Sequence, residues 1–175
     1  HRNASCDDVP LATGPADGGA FAIPVTVPAN TRTSFWASSE DGAGNISPCS
    51  AQRFVYEHDN SSPAAPVLNP TDPRSPSSDT TPVISGFAEP GSSVRVASGD
   101  TCATTVQRVT AGPDGAFSVT ANAPANQTTT FCASATDAAG NASPNATQTY
   151  THDGLAPSKP TLSSTTPPSP ANDVT

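Results

Sequence analysis

Two histidine–aspartate pairs, His58-Asp59 and His152-Asp153, and an oxygen-rich stretch, Thr136-Asp137-Ala138-Ala139-Gly140-Asn141, are the residues whose types could do chemistry here. A histidine beside a carboxylate suits general acid–base catalysis, provided the ring is held within reach of a reacting proton. The two histidines, however, stand at one equivalent place in two similar stretches, where a strand-like run gives way to a proline-rich linker. Nothing around them matches a Gly-x-Ser-x-Gly elbow, a phosphate loop or His-Glu-x-x-His. Enzymes rarely repeat an active site along a chain, and serine and threonine are too abundant to single out a nucleophile. A solvated or linker-packed imidazole is expected at both positions, and no catalytic residue is assigned.

The Asp137–Asn141 stretch supports a different chemistry. Calcium takes several hard oxygens at about 2.3–2.6 Å, and this turn concentrates side-chain and carbonyl oxygens. The plainer alternative is that Asp137 and Asn141 make Asx-type turn bonds. The remaining reactive groups are four cysteines, Cys6, Cys49, Cys102 and Cys132. They allow three pairings, with metal binding and free thiols as the alternatives. Zinc would call for closely spaced cysteines and nearby histidines, and the sequence has no Cys-x-x-Cys. Two disulfides, Cys6 with Cys49 and Cys102 with Cys132, are expected. Each would close a loop of tens of residues and contribute about 3–4 kcal/mol in the chain-entropy model. Such bridges require an oxidising compartment.

The elements that position these groups must be built from an unusual composition. Of 175 residues, 34% are hydrophobic and only 5% aromatic, so any core is thin and made of Val, Ala, Thr and a few Phe. Twenty prolines and twelve glycines rule out long helices, because proline lacks the amide donor and clashes with the preceding turn. Alternating Val/Phe segments and the cysteines argue for a folded chain over a disordered one. The formal charge is −8, with Lys159 the single lysine. That balance excludes a phosphate-binding surface for nucleic acid and an anionic membrane face. No apolar run approaches the ~18 residues of a membrane span, so no membrane insertion is expected in this stretch. No signal peptide is present, the chain opens on His1, and both ends read as cuts in a longer polypeptide. Asn-x-Ser/Thr sequons occur at Asn3, Asn45, Asn60, Asn126, Asn141 and Asn145, and in a chain this rich in Ser, Thr and Asn many such triplets arise by chance, so no glycan is assigned.

Ala29-Asn30-Thr31-Arg32-Thr33-Ser34-Phe35-Trp36-Ala37-Ser38 lies 96 positions before Ala125-Asn126-Gln127-Thr128-Thr129-Thr130-Phe131-Cys132-Ala133-Ser134. At the same offset Cys6 falls on Cys102, Phe21 on Phe117 and Asp41 on Asp137. The second cysteines do not coincide: Cys132 falls on Trp36, and Cys49 on Asn145. If the Asp41 turn closes a hairpin, Trp36 and Cys49 are near-neighbours across it, and an upstream cysteine finds a partner at either place. Past that turn the offset is 94, which aligns His58-Asp59 with His152-Asp153 and Ser75–Thr81 with Ser169–Thr175. A match over the whole period indicates duplication. The expected division is residues 1–59, the back part of one repeat; 60–153, a complete repeat; and 154–175, the start of a third.

Within 60–153 the sequence predicts seven short strands and no helix. These are Ala65–Leu68, Pro82–Ala88, Ser93–Ala97, Val106–Thr110, Ala116–Thr120, a strand whose one face is Phe131, Ala133 and Ala135, and Thr147–Tyr150. Val94 and Val96 alternate with Ser93 and Arg95, the period of a half-buried strand. Asp114-Gly115 between apolar alternations is a hairpin signal, since such turns need positive φ. Seven strands in this length fit an all-β, two-sheet sandwich.

The set Ile84-Ser85-Gly86, Ala88-Glu89-Pro90-Gly91-Ser92, Val94, Asp114-Gly115 and Thr136-Asp137-Ala138-Ala139-Gly140-Asn141 resembles the bacterial immunoglobulin-like repeats of large surface adhesins and secreted proteins. The resemblance implies tandem immunoglobulin- or fibronectin-like sandwiches in a modular stalk. The cysteines depart from many such repeats. In a sandwich of this topology the last hairpin turn faces the incoming chain, which would bring Asp59 to Asp137 and Asn141 and make the three an interdomain calcium site. No other cofactor is expected. The short proline-rich linkers 60–66 and 154–160 are read as semi-rigid spacers. The leading expectation is a non-catalytic structural or adhesive module in the stalk of a bacterial surface or secreted protein, with adjacent repeats as its main partners. The alternatives are a module that binds host or cell-surface protein or glycan, which the scarcity of Trp and Tyr disfavours, and a spacer of an extracellular enzyme.

Overall fold

The computed structural model describes residues 1–164, the side chain of Thr105 excepted. The aligned stretch 169–175 therefore lies outside the described residues. The strands are β1 (Arg32–Phe35), β2 (Phe54–Glu57), β3 (Val67–Leu68), β4 (Val83–Phe87), β5 (Ser93–Ser98), β6 (Thr104–Thr110), β7 (Ala116–Thr120), β8 (Thr128–Thr136) and β9 (Ala146–Thr151). Among the described residues there is no helix, hence none long and apolar enough to cross a membrane.

Strands β3 to β9 make two antiparallel sheets, one ordered β3-β4-β7 and the other β6-β5-β8-β9. This is an immunoglobulin-like sandwich in which the fourth strand has joined the second sheet, leaving three strands against four. Alternation builds it. Val94 and Val96 on β5, Phe117 and Val119 on β7, and Phe131, Ala133 and Ala135 on β8 are buried, while Ser93, Ser118 and Thr120 face solvent. Ile84 from β4 and Tyr150 from β9 complete a core that is fully enclosed but, as the composition requires, largely of Val and Ala. Ala97 and Cys132, opposite each other on β5 and β8, are buried on the outer side of their sheet, under the loop stapled by the Cys102–Cys132 disulfide.

The Asp114-Gly115 turn joins β6 to β7, but these strands belong to different sheets and do not pair, so it carries the chain from one sheet to the other and is not the expected hairpin. Gly115 has φ +81°, and a Cβ there would run into the Ala88 carbonyl. A Cβ on Gly86 would likewise strike the Val67 carbonyl, so the glycine of Ile84-Ser85-Gly86 is what lets β3 lie against β4. Two boundaries move by two residues, and the others by one at most. The first strand shrinks to Val67–Leu68, since Pro66 before it lacks an amide to pair. Strand β6 starts at Thr104, two residues early, made possible by a register shift between Val96 and Ala97 on its partner.

Residues 1–59 look different. Strands β1 and β2 pair with Thr33 opposite Tyr56 and Phe35 opposite Phe54, and Trp36 and His1 exchange backbone hydrogen bonds at 3.1 and 3.2 Å. Residues 21–28 form no strand, although 21–24 align with most of β7.

Candidate functional site at the strand exit and the last turn

The two histidines sit where the chain leaves its last strand. Asn126 adopts a left-handed conformation, φ +53°, which frees both its backbone and its side chain to lock that exit. Its backbone N–H donates to His152 Nδ1 at 2.9 Å, and its Oδ1 accepts the Gly154 N–H at 2.9 Å. Because Nδ1 accepts, the ring proton is on Nε2, which donates to the Ser78 carbonyl at 3.1 Å. Every polar atom of the ring is thus used structurally, and His152 is buried rather than solvated. The same device recurs at the earlier exit: Asn30, φ +53°, donates its N–H to His58 Nδ1 at 3.1 Å and accepts the Asn60 N–H on Oδ1 at 2.8 Å. His58 has no counterpart of the Ser78 bond and is half-buried.

The Asp137–Asn141 stretch is a turn tied by its own side chains. Asp137 Oδ1 accepts the Asn141 N–H at 2.9 Å and Oδ2 accepts Asn141 Nδ2 at 2.9 Å. The Asn141 side-chain hydrogen bond, with its backbone and those of Ala139 and Gly140, holds the Asp137 carboxyl below the usual carboxylate range, although partial desolvation works the other way. Asp41 and Asn45 repeat the pattern at 2.9 and 2.8 Å, and Asp41 is lowered by the same side-chain bond. The hydroxyls of Ser143 and Ser47 each close their hairpin by accepting a backbone N–H at 2.9 Å, from Ala135 and Ser39.

The fold does bring Asp59 to this turn, but through its main chain. Asn141 Nδ2 donates to the Asp59 carbonyl at 3.3 Å, while the Asp59 carboxylate turns back to accept the Ser61 N–H at 2.8 Å. Calcium would need oxygens converging. Here the Asn141 amide nitrogen points at both partners, and both Asp137 oxygens already hold N–H groups. These donors fit a turn lock, the Asx-type alternative, and not an ion as they stand. No cluster of three or more His, Cys, Asp or Glu suited to a metal occurs among the described residues.

The cysteines are bonded Cys6–Cys49 and Cys102–Cys132, with no free thiol. Cys132 lies opposite Thr147 on β9, and the position aligned with Cys49, Asn145, is two residues before it. The swap of partner between the two stretches is therefore a step across one hairpin. Both upstream cysteines have positive φ, +51° for Cys6 and +56° for Cys102, so the loop before each bridge turns alike. The exit lock itself was not legible as a site. The signal was present in the Asn30/His58 and Asn126/His152 recurrence, but only the fold sets each asparagine beside its histidine.

A helix-free two-sheet sandwich, closed by a disulfide and with its histidines spent on its own backbone, defines an immunoglobulin-like module. The chain belongs to the bacterial Ig domain family, whose family model matches residues 63–152. Among solved structures it is similar to one described as "Biofilm associated protein - BSP domain", at 20% identity and a TM-score of 0.40. That match covers 84% of this chain, which spans 23% of the other. No curated protein matches.

Proposed function

We propose that the chain is a non-catalytic structural module from an extended stalk of a bacterial surface or secreted protein, its sandwiches repeated in tandem and its chief partners the neighbouring repeats. In this reading residues 1–59 are the back part of one repeat, 60–153 a complete one and 154–175 the start of the next. One observation carries it: the same asparagine–histidine lock is built at both exits, and the exit at Asp59 is met by the Asn141 side chain of the following turn. A stalk needs joints of fixed direction. A left-handed asparagine that clamps the departing chain, followed by a short proline-rich linker, supplies one. The two disulfides suit an oxidising, extracellular setting.

Small-angle scattering of the whole chain tests this. A maximum dimension beyond that of one sandwich and a rod-like profile are expected. A compact profile, or one typical of two bodies tumbling independently, would count against it. A ligand-binding role has one feature in its favour, a concavity of about 430 Å³ bordered by Trp36, Arg2 and Arg32. Glycan binding there would quench or shift the emission of Trp36, the single tryptophan.

A further inference from the structure

The segment between β3 and β4 is the part of the sandwich that its two-sheet plan leaves unexplained. Residues 75–79 belong to neither sheet, yet they lie along residues 150–153, where β9 runs out, and are joined to them by five hydrogen bonds. Ser77 pairs with His152 in a parallel bridge. The Ser77 N–H donates to the Thr151 carbonyl at 3.1 Å, and the Asp153 N–H donates to the Ser77 carbonyl at 2.8 Å. The Thr151 N–H donates to Ser75 Oγ at 2.8 Å. Side chains supply the other two: the Tyr150 hydroxyl donates to the Asp79 carbonyl at 2.6 Å, and His152 Nε2 to that of Ser78 at 3.1 Å. Asp79 then turns the chain back toward β4, its Oδ1 accepting both the N–H and the hydroxyl of Thr81.

The direction of these pairings gives them a mechanical meaning. The chain enters the sandwich at the end where Val67 lies opposite Phe87, Ser93 opposite Thr136, and Asn141 meets Asp59. It leaves at the other end, where Val83 lies opposite Thr120 and Thr128 opposite Thr151. A pull on the two ends of the repeat therefore drags residues 75–79 back toward the entrance and draws β9 out toward the exit. Parallel segments pulled past each other along their length share the load among all their bonds, which must give together. A hairpin opened from its end loses them one at a time. Strand β3 is loaded first, but it has only two register pairs with β4 and a single Asp72–Val83 bridge beyond them. When it yields, the whole load passes to the 75–79 contact. Once that fails too, the loaded points, Val83 and Thr151, lie at the same end, and the sheets open bond by bond.

We propose that residues 75–79 and the end of β9 form a tension clamp, a load-bearing contact that ties the front of the repeat directly to its last strand and resists pull along the chain. Tyr150 and His152 are then more than core: each spends its polar atom on the clamp, and burial shields both bonds from water. Both halves of the clamp recur in the text. Tyr56-Glu57-His58-Asp59 aligns with Tyr150-Thr151-His152-Asp153, and Ser75-Pro76-Ser77-Ser78-Asp79 with Ser169-Pro170-Ala171-Asn172-Asp173. A series of repeats under tension is as strong as its weakest unit, which is the reason for every unit to carry the device. The clamp rests on the stalk reading above and deepens it, since it assigns the contact that would bear a stalk's load.

The test holds the intact oxidised chain by its two ends at constant force and times the rupture of the sandwich, since forced unfolding reads the unfolding rate. The extension released, at about 3.3–3.6 Å per freed residue, identifies the event, because the Cys102–Cys132 bridge keeps its 30-residue separation closed. Tyr150→Phe should speed rupture about fivefold, the full worth of one bond that is broken at the barrier, and Tyr150→Phe with Ser75→Ala about tenfold or more. Ser143→Ala is the control. It removes a comparable bond, to the Ala135 N–H, from the entrance-end hairpin outside the clamp, and should change the rate under force less than twofold while lowering the denaturation midpoint about as much as Tyr150→Phe. Equal acceleration by Tyr150→Phe and Ser143→Ala, or none by Tyr150→Phe, overturns the clamp. Scattering of the same samples keeps the two readings apart: a rod-like profile with clamp-indifferent rupture removes the clamp alone, whereas a compact profile removes the stalk whatever the rates.

Discussion

Phe21-Ala22-Ile23 and Phe117-Ser118-Val119 are close to the same text, yet the first is an extended run without a strand and the second is the middle of β7. His58 and His152 differ in the same way, one half-buried with a single ring bond, the other buried with two. In contrast, the Asp41–Asn45 and Asp137–Asn141 turns and the two asparagine–histidine locks are nearly superimposable in their hydrogen bonds. The difference separates two kinds of structure. Turns and caps are made by residues a few positions apart and form wherever their text occurs. Strands and cores need a partner from far along the chain, and they form only where it is supplied.

That contrast can be broken or sharpened by substitution. The largest difference is expected at the aligned phenylalanines. Phe117→Ala should lower the stability of the sandwich by about 3–5 kcal/mol, whereas Phe21→Ala should leave its chemical-denaturation midpoint unchanged. Equal effects would mean that 1–59 already shares the core. Next is the staple. Cys102→Ala with Cys132→Ala should cost about 3–4 kcal/mol in the same assay, while Cys6→Ala with Cys49→Ala should loosen only residues 1–59, read as faster amide exchange there with the sandwich melt intact.

A smaller effect belongs to the tyrosines. Tyr150→Phe removes the bond to the Asp79 carbonyl and should cost about 1 kcal/mol; Tyr56→Phe should cost nothing. The smallest concerns the turns, where both halves should respond alike. Asp41, Asp79 and Asp137 have carboxyls held below the usual range by hydrogen bonds, from the side chains of Asn45, Thr81 and Asn141 first. A depressed folded pKa gives stability that is complete above the unfolded value, near ~3.9, and is lost as pH falls through the folded one. Proton NMR of Asn45 and Asn141 amides should therefore show both turns intact at neutral pH and loosening together only in strong acid. Millimolar calcium should leave the Asn141 amide resonances and the melting temperature unmoved. A calcium-dependent shift confined to Asp59, Asp137 and Asn141 would show that the lock opens to take an ion.

Most of the fold was legible in the text because its determinants are local or periodic. The Asp114-Gly115 turn needed only a positive φ, and the β5 and β8 strands announced themselves by Val94/Val96 and Phe131/Ala133/Ala135. The histidines were harder. Their recurrence pointed to a structural role, but a solvated or linker-packed ring does not describe His152, whose Nε2 bond to Ser78 spans 74 positions. The Asp59–Asn141 meeting was anticipated as a place, while its chemistry was decided by which way an amide faces.

Alone, the amino-acid order determined an all-strand body, the offset at which its motifs recur and the turns that punctuate it, since alternation and φ preference act over a few residues. Only the tertiary structure decided which copies of that text become core. Burial is a property of what lies opposite, and for Phe21 and Tyr56 nothing within residues 1–59 takes the place that residues 66–98 fill over Phe117 and Tyr150.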